Sequence, residues 1–529
     1  APLITLFVKL NLRPKLGGAN WMVKRAYFLK NQTMTTKSNT SSFSRRKFIS
    51  TGAAASAGIM GAPAILNAQN KGDRLRVAFI GVGGINKRHL NDTADHNDIC
   101  AAYCDVDSNR WDNIPSTIAR LEKEEKPELA KHWKSAKGYQ DYREMFDKEA
   151  DNFDAVVVGT PDHSHYPATV LAMNAGKHVF TQKPLTHTVW EARQLAEATD
   201  KYQLATQMGN QGHANEGNRT IAAFVQGGHL GDIKEIHCFT NRPVWPQGTE
   251  FHQGESPIPE GFDWENWLGP APKRPFTAEP ENKRGGPYHP FNWRGILDFG
   301  GGALADMACH TMDSIFMSLD PGFPTHVEAI NVDTLTDDAF PKGSTLKWTF
   351  GPKGDRPGFE VYWYDGTDNE YIDKDGKKRR HPRLEELAEG EELRSSGNIY
   401  VGTKNKLLVS GDYGDSSKII PAEAYREFAM TLKEKTGDHR PARVYEPSIG
   451  HHTEWREAAM GNYAYDYPGS NFKYAGPFTE TIQLGNICLH HPGEKLAWDG
   501  PNLRFSNNEE ANKLITKSYR EGWDFKLDK

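Results

Sequence analysis

Asp306 and His310 stand four residues apart, just beyond three consecutive glycines, Gly300 to Gly302. On a helix that spacing puts both side chains on one face. Glycines in a row read as a tight turn, and Ala303 to Leu319 has the composition of the helix that follows. Histidine titrates near neutral pH, so a carboxylate and an imidazole projecting together can hold and deprotonate a substrate hydroxyl. The alternative is an ion pair on a helix surface, which does no chemistry. What the first third of the chain places beside them decides between the two.

Leu75 to Ile80 is a short apolar strand that runs into Gly81-Val82-Gly83-Gly84-Ile85-Asn86, with a helix predicted onward through Leu90. Glycines at such a turn let the backbone approach a pyrophosphate, and the helix offers its free N–H groups and positive end. The third glycine of the usual fingerprint is Asn86 here, which predicts looser packing of helix on strand. The next strand, Ile99 to Cys104, ends at Asp105, 24 positions after Gly81. A carboxylate there accepts hydrogen bonds from the ribose of NAD and repels the extra phosphate of NADP, with Asp107 as the other candidate.

Ala155 to Gly159, His178 to Thr181 and Leu204 to Met208 read as further strands, the last after a helix from Thr188 to Tyr202. Strands alternating with helices predict an α/β fold with a parallel, doubly wound sheet, whose ligands gather beyond the carboxyl ends of the strands. Those ends carry Thr160-Pro161-Asp162-His163-Ser164-His165, Thr181-Gln182-Lys183-Pro184 and Gly209-Asn210-Gln211-Gly212-His213.

With the glycine turn, Thr160-Pro161 with His165, Lys183-Pro184 and the Asp306 and His310 pair in place, the chain from about Arg74 onward resembles the glucose-fructose oxidoreductase, inositol dehydrogenase and rhizopine-catabolism family, Gfo/Idh/MocA. The resemblance implies a Rossmann domain over 69–230 that holds NAD, preferred over NADP because of its acid, on Gly81 to Asn86, Asp105, Thr160, Pro161, His165, Gln182 and Lys183. It implies that Lys183 stabilises a developing alkoxide, that His310 takes the hydroxyl proton, and that Asp306 orients the sugar or His310. His163, Gln211 and His213 are candidate substrate contacts. The family usually has a glutamate before the lysine, and Gln182 stands there instead, removing a possible charge partner.

From about Ile233 the pattern changes to alternating strands, with Leu346, Trp348 and Phe350 set against Lys347 and Thr349, and Phe359, Val361 and Trp363 repeating it. This predicts a second, α+β domain over 231–529 built on a large, mostly antiparallel sheet, which the resemblance makes a substrate and subunit-contact domain of a homo-oligomer. Trp293 and Arg294 could meet a sugar, although tryptophans more often anchor a core. His451-His452 and His490-His491 lack metal-ligand spacing and read as structural or exposed. The charged stretch 365–392 reads as a solvated insertion and Glu509 to Gly522 as a closing helix. Five cysteines show neither paired spacing nor a zinc pattern and read as small buried residues.

Residues 1–68 hold ten Lys or Arg and no Asp or Glu, so the rest of the chain carries a formal charge of −15 (−5 minus 10). That balance argues against nucleic-acid binding. Ser44-Arg45-Arg46-Lys47-Phe48-Ile49 and the Ala/Gly-rich run to Ala68 resemble a twin-arginine export signal over 34–68, and Pro63 and the glycines make the run a poor membrane span. Residues 1–33 read as an upstream extension, with Met34 as the natural start. The expected protein is a periplasmic, NAD-dependent sugar or glycoside oxidoreductase with a recycled cofactor, acting at a hydroxyl such as that on C3. One alternative is a glycosidase working through a 3-keto sugar and elimination; another is an exported sugar-binding protein without catalysis.

Overall fold

The computed structural model of the protein describes residues 73–250, 254–279 and 281–528; the proposed upstream extension and export signal lie outside them. Among the described residues, six parallel strands form the first sheet: β1 (Arg76–Ile80), β2 (Ile99–Cys104), β3 (Lys137–Tyr139), β4 (Ala155–Val158), β5 (His178–Thr181) and β6 (Thr206–Met208). Their order is β3-β2-β1-β4-β5-β6. β1 and β4 are continuous apolar runs because helices cover both faces of a parallel sheet, and all four residues of β4 are buried. The helix Val189–Tyr202 starts on a capping box in which Thr188 and Glu191 exchange hydrogen bonds with each other's backbone.

The second sheet has nine strands. They comprise β7 (Ile233–Phe239), β8 (Pro324–Asp333), β9 (Gly343–Phe350) and β10 (Phe359–Asp365), and, after a hairpin of β11 (Glu370–Ile372) and β12 (Lys378–Arg380), β13 (Gly397–Gly402), β14 (Lys406–Ser410), β15 (Ser416–Ile420), β16 (Lys495–Asp499) and β17 (Arg504–Phe505). The order is β15-β14-β13-β7-β10-β9-β8-β16-β17, with only β7 and β10 parallel. Leu346, Trp348, Val361 and Trp363 are fully buried, so one face packs on the long helix Phe472–Cys488. The expected α/β sheet and large antiparallel partner are both present, and all five cysteines are buried, unpaired thiols.

Three expectations change. The helix after the glycine turn breaks at Met312 into Gly302–Thr311 and Asp313–Leu319, where the Asp313 carboxylate is drawn into a buried network with His213, Asn218 and Tyr474. The closing helix is only Glu509–Asn512; beyond it the chain runs as a strap, because Lys517 bonds the His163 carbonyl and His187 and Arg520 bonds the Gly269 carbonyl. The stretch 365–392 is the β11–β12 hairpin plus the helix Pro382–Ala388, whose Leu384 and Leu387 join an apolar cluster under the second sheet.

Candidate active site

At the carboxyl end of β1 the chain turns sharply. Gly81 adopts φ +82°, and a Cβ there would stand 2.7 Å from the Gly159 carbonyl oxygen. Only glycine meets both demands. Asn86, at the position of the missing third glycine, is fully buried, and its Nδ2 donates to the Gly81 carbonyl at 2.6 Å. Room for it comes from Gly159: a Cβ on that residue would lie 2.3 Å from Asn86 Oδ1. The glycine has in effect moved to the facing strand end, so the expected looseness does not arise.

The turn fits a dinucleotide. Nothing lies within 4 Å of the point where a Gly84 Cβ would stand, and Gly83 meets only the Arg110 stem at 3.4 Å. Asp105 accepts from the Val82 amide at 2.9 Å and the Asp107 amide at 3.0 Å, which leaves each oxygen a further lone pair. Burial pushes its carboxyl up against those two donors. Asp107 has less to offer, since its carboxylate already takes His289 at 3.0 Å, Arg110 at 3.1 Å and Asn109 at 2.9 Å.

That loop is also covered from the second half of the chain. Ser108 donates to the Gly261 carbonyl, Asp263 to the Val106 carbonyl, and Gln140 reaches both carbonyls. The covering stretch is held by its own aromatic cluster, in which Trp264 and Trp267 stack at 4.9 Å beside Tyr288, Trp293 and Phe299.

At the ends of β4 and β5, the ring nitrogens of His165 lie 2.9 Å from the Thr160 carbonyl and 2.7 Å from the Pro184 carbonyl. It clamps the segment carrying Thr160 and Pro161 to the one carrying Lys183. Lys183 Nζ donates to Asp306 Oδ1 at 2.8 Å and to the Asp306 carbonyl at 2.7 Å. Arg294 Nε stands 3.4 Å from the same carboxylate oxygen. Burial works against both charges, but each partner prevails: Lys183 and Arg294 hold the Asp306 carboxyl well below its usual range, and Asp306 holds the Lys183 ammonium above its own.

The carboxylate missing before Lys183 is therefore replaced across the domain boundary. Gln182 turns instead to His89, 2.6 Å away between side-chain nitrogens.

His310 lies one helical turn beyond Asp306, is buried, and has its Nδ1 without a hydrogen-bond partner among the described residues. Burial, then the Lys183 charge, lowers its pKa to about 3, so the ring is neutral at physiological pH and keeps one unprotonated nitrogen that can accept a hydrogen bond from a hydroxyl. Tyr413, from the β14–β15 connection, meets it edge to face at 4.8 Å, and Gln211 donates to the Tyr413 hydroxyl at 3.3 Å.

Two expected substrate contacts are spent elsewhere. His163 has its ring nitrogens 3.3 and 3.1 Å from the Phe299 and Trp267 carbonyls. His213 is bound to Asp313 at 3.0 Å in the network under the broken helix. Trp293 is packed in the aromatic cluster, with the Arg294 guanidinium 4.3 Å over its ring.

Asp162 is the acid of the segment that carries His163. It is buried, accepts from the Gly301 amide at 3.1 Å, and burial pushes its carboxyl up to about 7, against the opposing pull of Arg294 and Lys183. The pKa is raised, so its stabilising contribution is complete below the unfolded value near 4 and is lost as pH rises through about 7. Asp162→Asn removes that loss. In thermal melts of the cofactor-free protein, the variant should gain on the wild type between pH 5 and pH 8, by of order a few kcal/mol; a constant difference would show that Asp162 stays ionised throughout.

Residues 75–210 match the family described as "Oxidoreductase family, NAD-binding Rossmann fold", and residues 220–352 match its companion, "Oxidoreductase family, C-terminal alpha/beta domain", both of the Gfo/Idh/MocA group. A glycosyl hydrolase family 109 protein of Shewanella pealeana is 27% identical over 164 residues, 31% of this chain and 34% of that protein. The D-xylose 1-dehydrogenase (NADP+) of Haloarcula marismortui is 23% identical over 171 residues, 32% and 44% of the respective chains. The chain thus spans between a third and a half of the length of these relatives. The WlbA dehydrogenase of Chromobacterium violaceum, solved with NADH and UDP-GlcNAcA, superposes with a TM-score of 0.52 at 16% identity over 82% of this chain and 99% of its own. The Bordetella pertussis WlbA dehydrogenase gives 0.50 at 14%, over 80% and 99%. At such identities the likeness is one of fold.

Proposed function

The chain belongs to the Gfo/Idh/MocA oxidoreductase family, and from that premise we propose that it oxidises a hydroxyl of a sugar or glycoside with an NAD that stays bound and is recycled. The observation that carries this reading is the meeting of Lys183, Asp306 and Arg294, one turn from His310, beyond the strand ends of an NAD-binding sheet. When bound, the nicotinamide accepts a hydride from the sugar carbon and can return it. Lys183 donates to the oxygen as it gains negative charge, His310 takes its proton, and Asp306 keeps the Lys183 ammonium charged and aimed. Arg294, beside Asp306, and Tyr413, beside His310, would supply polar contacts for the sugar.

The cover over the loop after β2 supports a retained cofactor, since Gly261, Asp263 and His289 would have to part from that loop to free the ribose end. Retention also suits the proposed export with twin arginines, in a compartment where free NAD is scarce.

A second reading is favoured by the family 109 relatives. Oxidation at C3 acidifies the proton on C2, a base at the site removes it as the C1 leaving group departs, water adds at C1 while C2 regains a proton, and the hydride is then restored to C3. No opposed pair of carboxylates is needed for that cycle.

An absorbance spectrum of the purified protein, taken before and after mixing with a panel of simple glycosides and no added cofactor, separates the readings. A reduced-nicotinamide band supports net oxidation, and release of the aglycone without a lasting band supports the glycosidase cycle. Saturable glycoside binding with neither signal would overturn both and leave a binding protein.

A further inference from the structure

The strap that follows the helix Glu509–Asn512 carries an amine into the body of the protein. Lys517 donates to the His163 carbonyl at 3.2 Å and to His187 Nδ1 at 3.1 Å, and it lies 3.3 Å from the fully buried Glu191 carboxylate. An ammonium has three donors, and these partners take all of them, so the amine has none left for a substrate. Glu191 is itself fixed by the His187 and Thr188 amides and by the Tyr519 hydroxyl. Three residues further on, Arg520 pins the strap by donating to the Gly269 carbonyl and pairing with Glu265.

Because an ammonium can only donate, His187 Nδ1 is the acceptor in that contact. Burial, then the Lys517 charge, lowers the His187 pKa well below its usual value, so the ring is neutral and its one N–H sits on Nε2. That nitrogen is 2.9 Å from the Gly300 carbonyl and donates to it. The other tautomer would set a bare nitrogen against the carbonyl and an N–H against the ammonium, two losses in a buried place.

Gly300 opens the turn into the helix Gly302–Thr311, which carries Asp306 and His310. The turn is held at three points: its Gly300 carbonyl by His187, its Gly301 amide by Asp162 and its Gly301 carbonyl by Asn486. It has no slack, since a Cβ on Gly300 would stand 2.6 Å from Arg294 Cα and one on Gly302 2.7 Å from Phe340 Cγ. A shift at Gly300 is therefore passed to Arg294 and to the helix. His163 adjoins Asp162, and His187 lies four residues beyond Lys183. One amine thus ties the segment of Asp162, the segment of Lys183 and the turn before Asp306.

We propose that Lys517 is a positioning residue for the reaction: through His187 it fixes the Gly300–Gly302 turn, and with it the placement of Asp306 against Lys183. This rests on the reading of Lys183, Asp306 and His310 as the reacting groups.

Three variants of the full, NAD-loaded chain test it. Lys517→Met keeps the stem and loses the donors, His187→Leu loses both ring contacts, and His187→Gln keeps an acceptor and an N–H donor. With a glycoside that the wild type turns over, Lys517→Met and His187→Leu should each lower kcat about tenfold or more, the scale of a small misplacement of reacting groups. KM should stay within about threefold, the two changes together should be no worse than the stronger alone, and His187→Gln should keep most of the wild-type kcat. A residue that only stabilised the fold would lower the melting temperature and leave kcat of the folded fraction unchanged. Crystal structures of the wild type and Lys517→Met should show Asp306 displaced from Lys183 by about 0.5 Å or more. An unmoved Asp306, or a near-normal kcat in folded Lys517→Met, would overturn the proposal. If Lys517→Met does not fold, the His187 pair makes the same comparison, and a His187→Leu that matches His187→Gln in kcat and in Asp306 placement overturns it. A wild type that turns over no glycoside defeats the functional reading instead, and the crystal structures still decide whether Lys517 sets Asp306.

Discussion

Lys183→Ala lowers kcat by about two to four orders of magnitude, the range associated with losing a group that stabilises or protonates a developing oxyanion. The expectation rests on placement: the ammonium is fixed by both the carboxylate and the carbonyl of Asp306, close enough to His310 for its charge to act on that ring. Most of the cofactor binding should survive, because the Gly81–Asn86 turn and Asp105 are held by bonds of their own. Retained NAD together with lost substrate-driven reduction is the measured signature, and near-normal turnover would remove Lys183 from the mechanism.

The same variant makes a second, separable statement. Removing one partner of a buried ion pair costs about 3–5 kcal/mol, and here somewhat less, because Arg294 still faces Asp306 at 3.4 Å. Asp306 has a depressed pKa, so its contribution is present above the unfolded value near 4 and is lost as pH falls through the folded one. Without Lys183 the folded value rises, and acid unfolding should move to higher pH. Lys183→Ala with Asp306→Asn should recover the stability and none of the turnover. That contrast divides structural from chemical roles of the pair.

What the sequence makes legible here is what local pattern controls. The runs Arg76–Ile80, Ile99–Cys104 and His178–Thr181 are strands because their apolar residues have no polar face to show water, and Thr188 announces its helix through Glu191 three residues on. The spacing of Asp306 and His310 survives because both fall on one unbroken helix, Gly302–Thr311.

The remainder depends on partners distant in the chain. Nothing near Met312 signals a break, since the residues that draw in Asp313 are His213, Asn218 and Tyr474. Nothing near Lys517 says that its amine will reach the His163 carbonyl. Asp162 could have been noticed, because an acid between Pro161 and His163 at a strand end invites a question about its charge. Tyr413 could not, lying in a connection whose position beside His310 is set by the register of β14 and β15.

Asn86 is the clearest case of a local departure answered elsewhere, and it gives the other large expected effect. Gly159→Ala drives a methyl group to within about 2.3–2.4 Å of the Asn86 amide atoms, which sit beneath the turn and hold the Gly81 carbonyl. Neither can yield easily. Asn86 is fully buried, and Gly159 is tied by its amide to the Ile80 carbonyl at 2.8 Å. Overpacking of this kind costs about 1–3 kcal/mol. Because the displaced atoms carry the pyrophosphate turn, NAD should also bind at least tenfold more weakly, as read by retention of dinucleotide absorbance through gel filtration. Asn86→Gly restores the third glycine of the usual pattern and vacates the space that the new methyl needs. The double variant, Gly159→Ala with Asn86→Gly, should therefore regain most of the stability and cofactor binding that Gly159→Ala loses. A double variant no better than the single one would mean that Gly159 is required for the dinucleotide itself rather than for Asn86, and that the exchange of glycine between the helix start at Asn86 and the strand end at Gly159 is not what keeps this turn closed.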